Sequence, residues 1–421
     1  MQTAYDALIL GAGPAGSTAA ILLARAGWSV ALLEKQPFPR RKVCGECIAA
    51  SNLPLLEALG IGAAFAALAG PALRRVALWY GAQSVSAPLP AAADAPHPWG
   101  RALGREHLDT LLLQQARSLG VTVLQPCSAQ SVSGQPGQLR CEAIGTDPPV
   151  AVTLTAPVVI AAHGSWQPLP AQRALGRRER RGADLLAFKA NFRNVRLEAG
   201  VLPVLSFRGG YGGMVVADHG VATLACCIRA DRLAECRQAA PGAQAGAAVE
   251  AALKRECAGV LEALSGASAA GAWLAAGPIQ PGVRLSRAGT GAFLIGNAAG
   301  EAHPIIGEGI SMAIQSAWLL CGQLLRCRDV LRQDEAAPYR QREIQRRYAA
   351  QWHEQFRERL RLATWFAHAA MRPEVMSCLM PLVRRAPRML SHCALWGGKT
   401  RGLAQTTLPH SMAQTTLGPD A

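Results

Sequence analysis

Residues 6–35 read DALILGAGPAGSTAAILLARAGWSVALLEK, a pattern that predicts a strand, a tight turn, a helix and a second strand. The apolar run Ala7–Leu10 is typical of a strand that is buried on both faces of a parallel sheet. Gly11, Gly13 and Gly16 form G-x-G-x-x-G where this strand passes into the helix. The first glycine permits the turn, the second lets backbone approach a pyrophosphate, and the third lets the helix pack on the strand.

The same stretch offers partners for both halves of a nucleotide. Pro14 and Ala15 open the predicted helix, whose free N–H groups and positive dipole end attract phosphate. Glu34 closes the second strand at position 34 − 11 = 23 after Gly11, close to the ~20 residues expected for a ribose-binding carboxylate. A glycine-rich turn without a ligand is the alternative, but strand, helix, second strand and acid are all in register. The stretch therefore predicts an ADP-binding site.

Composition limits the class of protein. The chain has 421 residues, half of them hydrophobic, which suffices for two or three domains or for one interleaved unit. We see no signal peptide and no apolar run of about 18 residues, so we expect a cytoplasmic protein whose twelve cysteines are reduced. The net charge of +15 favours anionic partners, although a solvated arginine-rich surface explains it equally well. Nucleic acid is the weakest candidate, because no nucleic-acid-binding motif is visible.

A basic segment and a C-x-x-C pair follow the second strand. Cys44 and Cys47 lack a second Cys or His pair, so we predict no metal site. A redox-active dithiol is the alternative, but the second glycine-rich fingerprint of flavin disulfide reductases is absent from the sequence. We favour two small buried residues beside the cofactor.

The pattern K-x-x-F-P-R-x-K-x-C-G-E, followed by L-x-x-L-G, resembles the geranylgeranyl reductase family. These proteins are FAD oxidoreductases with the p-hydroxybenzoate hydroxylase type of fold, and flavin-dependent halogenases are related to them. Arg40, Arg41 and Lys42 form a basic cluster beside the predicted dinucleotide, and Lys35, Arg41 and Lys42 are expected to contact the cofactor. The resemblance also makes Cys44 and Glu46 candidates for catalytic residues near the flavin.

Residues 101–120 are predicted to form a helix whose start resembles the family's Arg-x-x-Leu/Phe-Asp signature. By that resemblance Arg105 reaches the ADP half of the cofactor and Asp109 holds the start of the helix, although a surface arginine is an equally good interpretation. A later strand ends at His163, where the family carries aspartate. A structural histidine is favoured there over a catalytic one.

Residues 171–280 have the alternating pattern of antiparallel strands, with strands at 185–193 and 201–207 and a hairpin turn at 218–220. The run 209–214 resembles the family's G-Y-x-W-x-x-P segment. Gly213 replaces its tryptophan and Val216 its proline, which predicts a cavity with room for a large substrate. Residues 245–264 are predicted to form one amphipathic helix.

A second glycine-rich region begins after a strand at 293–295. It resembles the family's G-D-A-A-G-x-x-x-P-x-x-G-x-G-I, which implies a helix N-terminus at the flavin ring and ribityl chain. N–H groups at a helix start stabilise the anionic reduced flavin. The cofactor-binding and flavin-proximal residues implied here are Gly296, Asn297, Pro304, Gly307, Gly309 and Ile310. Asn297 replaces the usual aspartate and still offers hydrogen bonds to a hydroxyl.

These observations predict an α/β fold (α+β overall): a Rossmann-like FAD-binding domain with a parallel sheet, interleaved with an antiparallel-sheet substrate domain, and C-terminal helices. The predicted parts are a discontinuous FAD-binding domain (1–75, 98–170 and 281–335), a substrate-binding sheet domain (76–97 and 171–280), a basic helical region (336–400) and a disordered tail (401–421). The basic helices are expected either to cap the core or to lie on an anionic membrane.

The predicted function is an FAD-dependent monooxygenase that oxidises a large aromatic or polyketide-type substrate through a flavin C4a-hydroperoxide. A reductase of prenyl or lipid double bonds is the second candidate. A halogenase ranks third, because no lysine lies between residues 48 and 100. A non-enzymatic electron carrier is the alternative of a different class. NAD(P)H or a reductase partner is the expected electron donor, and the basic C-terminal helices predict contact with an acidic carrier protein or a membrane.

Overall fold

The computed structural model describes residues 2–92, 97–145, 149–165, 181–285, 291–327 and 329–403. The strands are β1 Ala7–Leu10, β2 Val30–Leu33, β3 Cys47–Ile48, β4 Arg75–Tyr80, β5 Gln83–Pro88, β6 Arg101–Ala102, β7 Thr122–Leu124, β8 Cys127–Gln135, β9 Gln138–Gly145, β10 Ala151–Ala156, β11 Val158–Ala161, β12 Leu185–Arg193, β13 Val201–Phe207, β14 Gly210–Val216, β15 Ala222–Arg229, β16 Ser268–Ala269, β17 Leu274–Ala276, β18 Gly282–Val283, β19 Phe293–Leu294 and β20 Gly300–Glu301. The helices are α1 Pro14–Arg25, α2 Leu53–Ala58, α3 Gly62–Leu68, α4 Arg105–Ser118, α5 Ala230–Gln238, α6 Ala245–Glu256, α7 Ala258–Ala263, α8 Gly309–Arg326, α9 Ala337–Ala370, α10 Pro373–Arg385 and α11 Arg388–Trp396.

A five-stranded parallel sheet forms the nucleotide-binding half of the molecule, in the order β19-β11-β1-β2-β7. Ala7 pairs with Val158 on one side and Val30 on the other, so β1 is central and completely buried. Helices α1 and α8 pack together against this sheet. Because all five strands run the same way, the turns that follow β1 and β19 meet at one edge. The predicted parallel, Rossmann-like sheet is confirmed.

An eight-stranded sheet forms the other half, in the order β16-β12-β15-β14-β13-β4-β5, with β17 also paired to β12. Its pairs are antiparallel except for β13 with β4, which lie parallel. Strands β4 and β5 join it from a segment that lies between parts of the nucleotide-binding half. The chain therefore crosses between the two halves, and the predicted interleaving is confirmed. The predicted strands 185–193 and 201–207 and the turn at 218–220 are also confirmed.

The C-terminal helices join the two halves. Helix α9 buries Tyr348, Trp352 and Phe356 in the core of the nucleotide-binding half. Helix α10 packs Met380 and its neighbours on Val85 of β5. None of the described helices is long and apolar enough to cross a membrane. Most of the predicted tail, from residue 404 onward, lies outside the described residues.

Two helix predictions need correction. The helix predicted at 101–120 begins at Arg105, because Arg101–Ala102 pairs as a strand with Cys47–Ile48. The single helix predicted at 245–264 is broken at Cys257, which has an extended backbone (φ −139°, ψ 104°). There the chain bridges to Gly81 at the β4–β5 turn, and Ala258 N donates to Gly81 O at 2.9 Å. A long-range contact therefore overrides the helical pattern.

Candidate active site

One cavity of about 640 Å³ extends from the carboxyl edge of the parallel sheet, across the face of the eight-stranded sheet, to helices α10 and α11. It brings together residues that are far apart in the sequence. The predicted site residues that line it are Gly11, Gly13, Pro14, Ala15, Glu34, Lys35, Lys42, Cys44, Glu46, Arg105, Gly296, Asn297, Pro304, Gly307, Gly309 and Ile310. Of the predicted set, Gly16 and Arg41 lie off this lining.

The first glycine-rich turn has the geometry that its sequence predicts. Gly11 has φ +108°, a conformation that favours glycine. A Cβ on Gly16 would lie 1.8 Å from the Gly11 carbonyl oxygen, so Gly16 permits helix packing without lining the cavity. A Cβ on Gly13 would meet only an Arg105 nitrogen, at 3.6 Å. Gly13 therefore lies open to the cavity at the start of α1.

Charged side chains surround this turn. The Glu34 carboxylate accepts hydrogen bonds from Ala12 N at 3.0 Å and Gln36 N at 3.1 Å. Arg105 donates twice to Asp109, at 2.7 Å each. The pKa of Lys42 falls to about 8, first because of burial and then because of nearby arginine charges. An anion bound here would offset that positive charge.

The structure differs from the prediction at Arg41. Its guanidinium bonds to Glu106 at 2.8 Å and to Ala270 O at 2.6 Å, at a second, smaller cavity. Arg40 lines the main cavity instead and reaches Glu34 at 3.2 Å. The Glu106 carboxylate thus holds Arg41 at the second cavity, while Arg40 faces the main one.

Glu106 also lies close to His107 and Asp218, with one potential ligand atom of each within 4.8 Å of the others. Arg41 already neutralises Glu106, so we interpret this group as an ion-pair cluster.

Glu46, a predicted flavin-proximal candidate, is buried in a network of polar contacts. It has φ +61°, forms an ion pair with Lys189 and accepts a hydrogen bond from Thr223. Arg105 N also donates to its carboxylate at 2.9 Å. Because Lys189 and Thr223 belong to the eight-stranded sheet, Glu46 connects the loop that carries the C-x-x-C pair to that sheet. These contacts make Glu46 a positioning residue.

The cysteines beside it, Cys44 and Cys47, both line the cavity as free thiols. Burial raises the pKa of Cys47 to about 11, so this thiol stays protonated at neutral pH. A protonated thiol is a poor nucleophile. This favours the interpretation of small buried residues over a reactive dithiol.

The second glycine-rich region lines the same cavity and meets the first, since a Cβ on Gly296 would lie 3.0 Å from the Cβ of Ala15. Gly296 and Gly307 have φ +58° and +63°. Asn297 donates to Ser165 Oγ at 2.9 Å, which fixes its amide at the end of β19. A Cβ on Gly309 would meet nothing within 4 Å, so the start of α8 is open to the cavity. His163 also lines this part of the cavity, with Nδ1 3.1 Å from Gly164 O.

Together these features fit FAD. The acidic Glu34 lies where a ribose is expected, and Lys42 and Arg105 lie beside the open Gly13 backbone where a pyrophosphate is expected. The open glycine backbone at the start of α8 provides the N–H groups that suit a flavin ring.

Two polar residues of the cavity were missed by sequence reasoning. The Tyr211 hydroxyl lies within hydrogen-bonding distance of His303 Nδ1, at 3.0 Å. Burial, and then the nearby His368, lowers the pKa of His303 to about 4, so its imidazole is neutral at pH 7. The exposed His368 ring lies 6.0 Å from that of His303. The one sequence feature that could have indicated His303 is its position directly before Pro304 of the second glycine-rich motif.

Beyond Tyr211 the cavity becomes apolar. Strands β4 and β13 contribute Ala77, Leu78 and Val204, and helices α10 and α11 contribute Leu379 and Leu390. The cavity also reaches Gly213, where the sequence predicts space in place of a tryptophan. This part, the apolar chamber, is open rather than filled by protein.

Comparison with known proteins identifies the family of this chain. The FAD binding domain family matches residues 4–335. The menaquinone reductase of Mycobacterium tuberculosis is 32% identical over 127 residues, 30% of each chain. The tryptophan 2-halogenase of Chondromyces crocatus is 53% identical over 53 residues, 13% of this chain and 10% of that protein. The chain thus spans less than a third of either relative.

The solved structure of the myxobacterial chondrochloren halogenase has a similar fold, with a TM-score of 0.71 at 20% identity, covering 100% of this chain and 98% of that one. The family match extends from the first glycine-rich turn through the second and confirms FAD as the cofactor. The chain therefore belongs to the FAD binding domain family and is a flavin enzyme.

Proposed function

We propose that this flavin enzyme is a monooxygenase that oxidises a large, apolar aromatic substrate bearing a hydroxyl group. The observation that carries the proposal is the continuity of the cavity from the cofactor end, past the Tyr211–His303 pair, into the apolar chamber. A ring system in the chamber would be shielded from water while its hydroxyl faces the Tyr211–His303 pair.

Bound FAD supplies the redox chemistry by taking two electrons from a donor and passing them to molecular oxygen. The chain's residues bind and orient the substrate. Tyr211 accepts a hydrogen bond from the substrate hydroxyl and is itself paired with the neutral His303 ring. That hydrogen bond orients the aromatic ring and raises its electron density, which makes the ring easier to oxidise.

Reduction of a carbon–carbon double bond is the second candidate. The menaquinone reductase relative and the resemblance to geranylgeranyl reductases favour it, and a prenyl chain also suits the apolar chamber. This candidate differs in needing no oxygen.

Halogenation ranks third. The lysines that line the cavity are Lys35, Lys42 and Lys399, and none lies in the segment where the halogenase resemblance requires one. Because the chain has a halogenase relative, the test below includes this alternative. An electron carrier that uses the cysteine pair is disfavoured by the raised pKa of Cys47.

We further propose that α10 and α11 contact an anionic membrane from which the substrate enters. Met389 lines the cavity and is yet 41% exposed, so it lies at an opening. Leu382 and Trp396 are 51% and 57% exposed. Arg384 and Arg388 are exposed beside them. Exposed bulky apolar side chains among arginines suit a lipid interface better than the mainly charged surface that binds an acidic carrier protein.

The test is a product assay on the FAD-loaded chain. NADPH or a reductase supplies electrons, ¹⁸O₂ supplies oxygen, and bromide is present. The substrates are a polycyclic phenol, its methyl ether and a prenylated quinone. We expect one ¹⁸O atom in the phenol product and no oxidation of the ether. Saturation of a carbon–carbon double bond in the prenyl chain of the quinone without oxygen would instead establish the reductase, and a brominated product would establish the halogenase.

A matched variant tests the role of the polar pair. Tyr211→Phe should slow oxidation of the phenol about tenfold, because it removes a hydrogen bond of about 1.4 kcal/mol to the substrate. The variant should bind FAD as the wild type does, because Tyr211 lies beyond the cofactor end of the cavity. Unchanged phenol turnover would remove Tyr211 from the mechanism.

A further inference from the structure

A cation from the C-terminal segment reaches the cofactor cavity. Lys399 follows α11 by three residues, and its side chain is only 15% exposed. It lines the main cavity, whereas the other cavity-lining lysines, Lys35 and Lys42, lie at the ADP end. Lys399 is thus distant in sequence from every cofactor motif, and yet it lines the cofactor site at the end opposite to Lys35 and Lys42.

Its position is defined by the loop that leads into α8. The Nζ atom lies 3.3 Å from Glu308 Oε1 and 3.5 Å from Gly307 O. A Cβ on Gly307 would lie 3.2 Å from that Nζ and 3.7 Å from the Cβ of Cys47. The ammonium therefore lies on the wall between the second glycine-rich region and the C-x-x-C loop, next to the open start of α8.

The Glu308 carboxylate holds this ammonium in place. It is completely buried, and its other cationic neighbour, Arg359 at 3.8 Å, is completely buried as well. Burial raises the pKa of the Glu308 carboxyl, while the charges of Lys399 and Arg359 act in the opposite direction. Two cations thus share one carboxylate, which leaves positive charge near the cavity wall. The N-terminal dipole of α8 has the same sign.

We propose that Lys399 contacts the pyrimidine edge of bound FAD and stabilises the negative charge of the reduced ring, with Glu308 as its positioning residue. The proposal rests on FAD binding and is independent of which substrate is oxidised. It assigns the C-terminal segment a direct part in the cofactor site in addition to covering the core.

The experiment measures sulfite binding and the flavin midpoint potential in the FAD-loaded full chain. Sulfite adds its sulfur lone pair to N5 of oxidised flavin and leaves a negative charge on the pyrimidine side of the ring. Lys399→Met should weaken sulfite binding at least about tenfold. It should also lower the two-electron midpoint potential by about 30 mV for each tenfold change in the relative affinity for reduced FAD. Lys399→Arg should stay within about threefold of wild type, since it keeps the charge.

Lys35→Met is the matched control, because it removes a cavity-lining lysine at the ADP end. It should weaken FAD binding without changing the sulfite dissociation constant or the potential. If the methionine variant does not retain FAD, Lys399→Gln replaces it, because glutamine keeps a hydrogen-bond donor but carries no charge. The same loss of sulfite affinity is expected. Wild-type sulfite affinity and potential in a Lys399→Met or Lys399→Gln variant that retains FAD would overturn the proposal.

Discussion

The two ends of the cavity are built in different ways. The cofactor end consists mainly of backbone turns and charged side chains that follow two strands of one parallel sheet, within contiguous glycine-rich motifs. The apolar chamber consists of single side chains from β4, β13, α10 and α11, which no motif connects. A dinucleotide has a fixed shape and charge, so its site needs fixed local backbone. An apolar substrate requires only volume and exclusion of water, which many side chains provide.

This difference predicts that one atom added to the backbone turn has the largest effect. In Gly16→Ala the new Cβ would collide with the Gly11 carbonyl, so the turn must shift. We expect a cost of about 3 kcal/mol or more and an FAD dissociation constant raised roughly 100-fold, measured by fluorescence titration. Gly182→Ala is the control, because its Cβ would make only ordinary contacts. Equal FAD affinity in the two variants would contradict the packing role of Gly16.

A change in the apolar chamber should leave FAD in place. Gly213→Trp restores the bulky residue of the related motif and fills the cavity beside β14. We expect substrate affinity to fall roughly 50-fold, by loss of about 2 kcal/mol of apolar contact, while FAD titrations are unchanged. Gly213→Ala is the control for the new Cβ, which would lie 3.0 Å from the Pro203 carbonyl oxygen in both variants, and it should lose much less substrate affinity than Gly213→Trp. A tryptophan variant that binds the polycyclic phenol normally would show that the chamber lies elsewhere.

Between the two ends, His303 should make stability depend on pH. Its folded pKa of about 4 lies below the unfolded value of 6.5 because of burial and then His368. The unfolded chain therefore binds the proton more readily, and stability present above pH 6.5 falls as the pH drops towards 4. From pH 7.5 to 5.0 the loss is about 2 kcal/mol. Urea unfolding of wild type and His303→Gln measures it, and the variant should lack this component. Identical pH slopes would contradict the assignment.

The last prediction concerns the exposed arginines of α10 and α11, which we propose contact a membrane. Arg384→Glu with Arg388→Glu should weaken binding to vesicles that contain anionic phosphatidylglycerol roughly 30-fold, measured by sedimentation, since each of the two arginines near the surface contributes about 1 kcal/mol. The control is Arg346→Glu with Arg347→Glu. It makes the same charge change on α9, a different helix, and should have little effect on vesicle binding. Equal losses would mean that net charge alone drives binding. Binding to an acidic carrier protein but not to vesicles would reassign the surface.

How far the sequence predicted the site depends on how local each part is. The glycine-rich turns, Glu34 and Lys42 lie where their motifs imply, because neighbouring residues determine a turn. Arg40 and Arg41 exchange roles, since only the presence of Glu106 on α4 decides which side chain faces the cavity. The break at Cys257 likewise depends on the distant Gly81.

The sequence by itself determined the parallel nucleotide-binding sheet, the FAD cofactor and most of the glycine-rich and charged residues that line one end of the cavity, because hydrophobic period, glycine spacing and charge act over a few residues. Only the tertiary structure decided which side chains enclose the apolar chamber, that Tyr211 meets His303, and that Lys399 reaches the loop before α8. Those contacts join residues 92 positions apart in each case, counted as 303 − 211 and 399 − 307. Their formation depends on how whole sheets and helices pack, which no local pattern encodes.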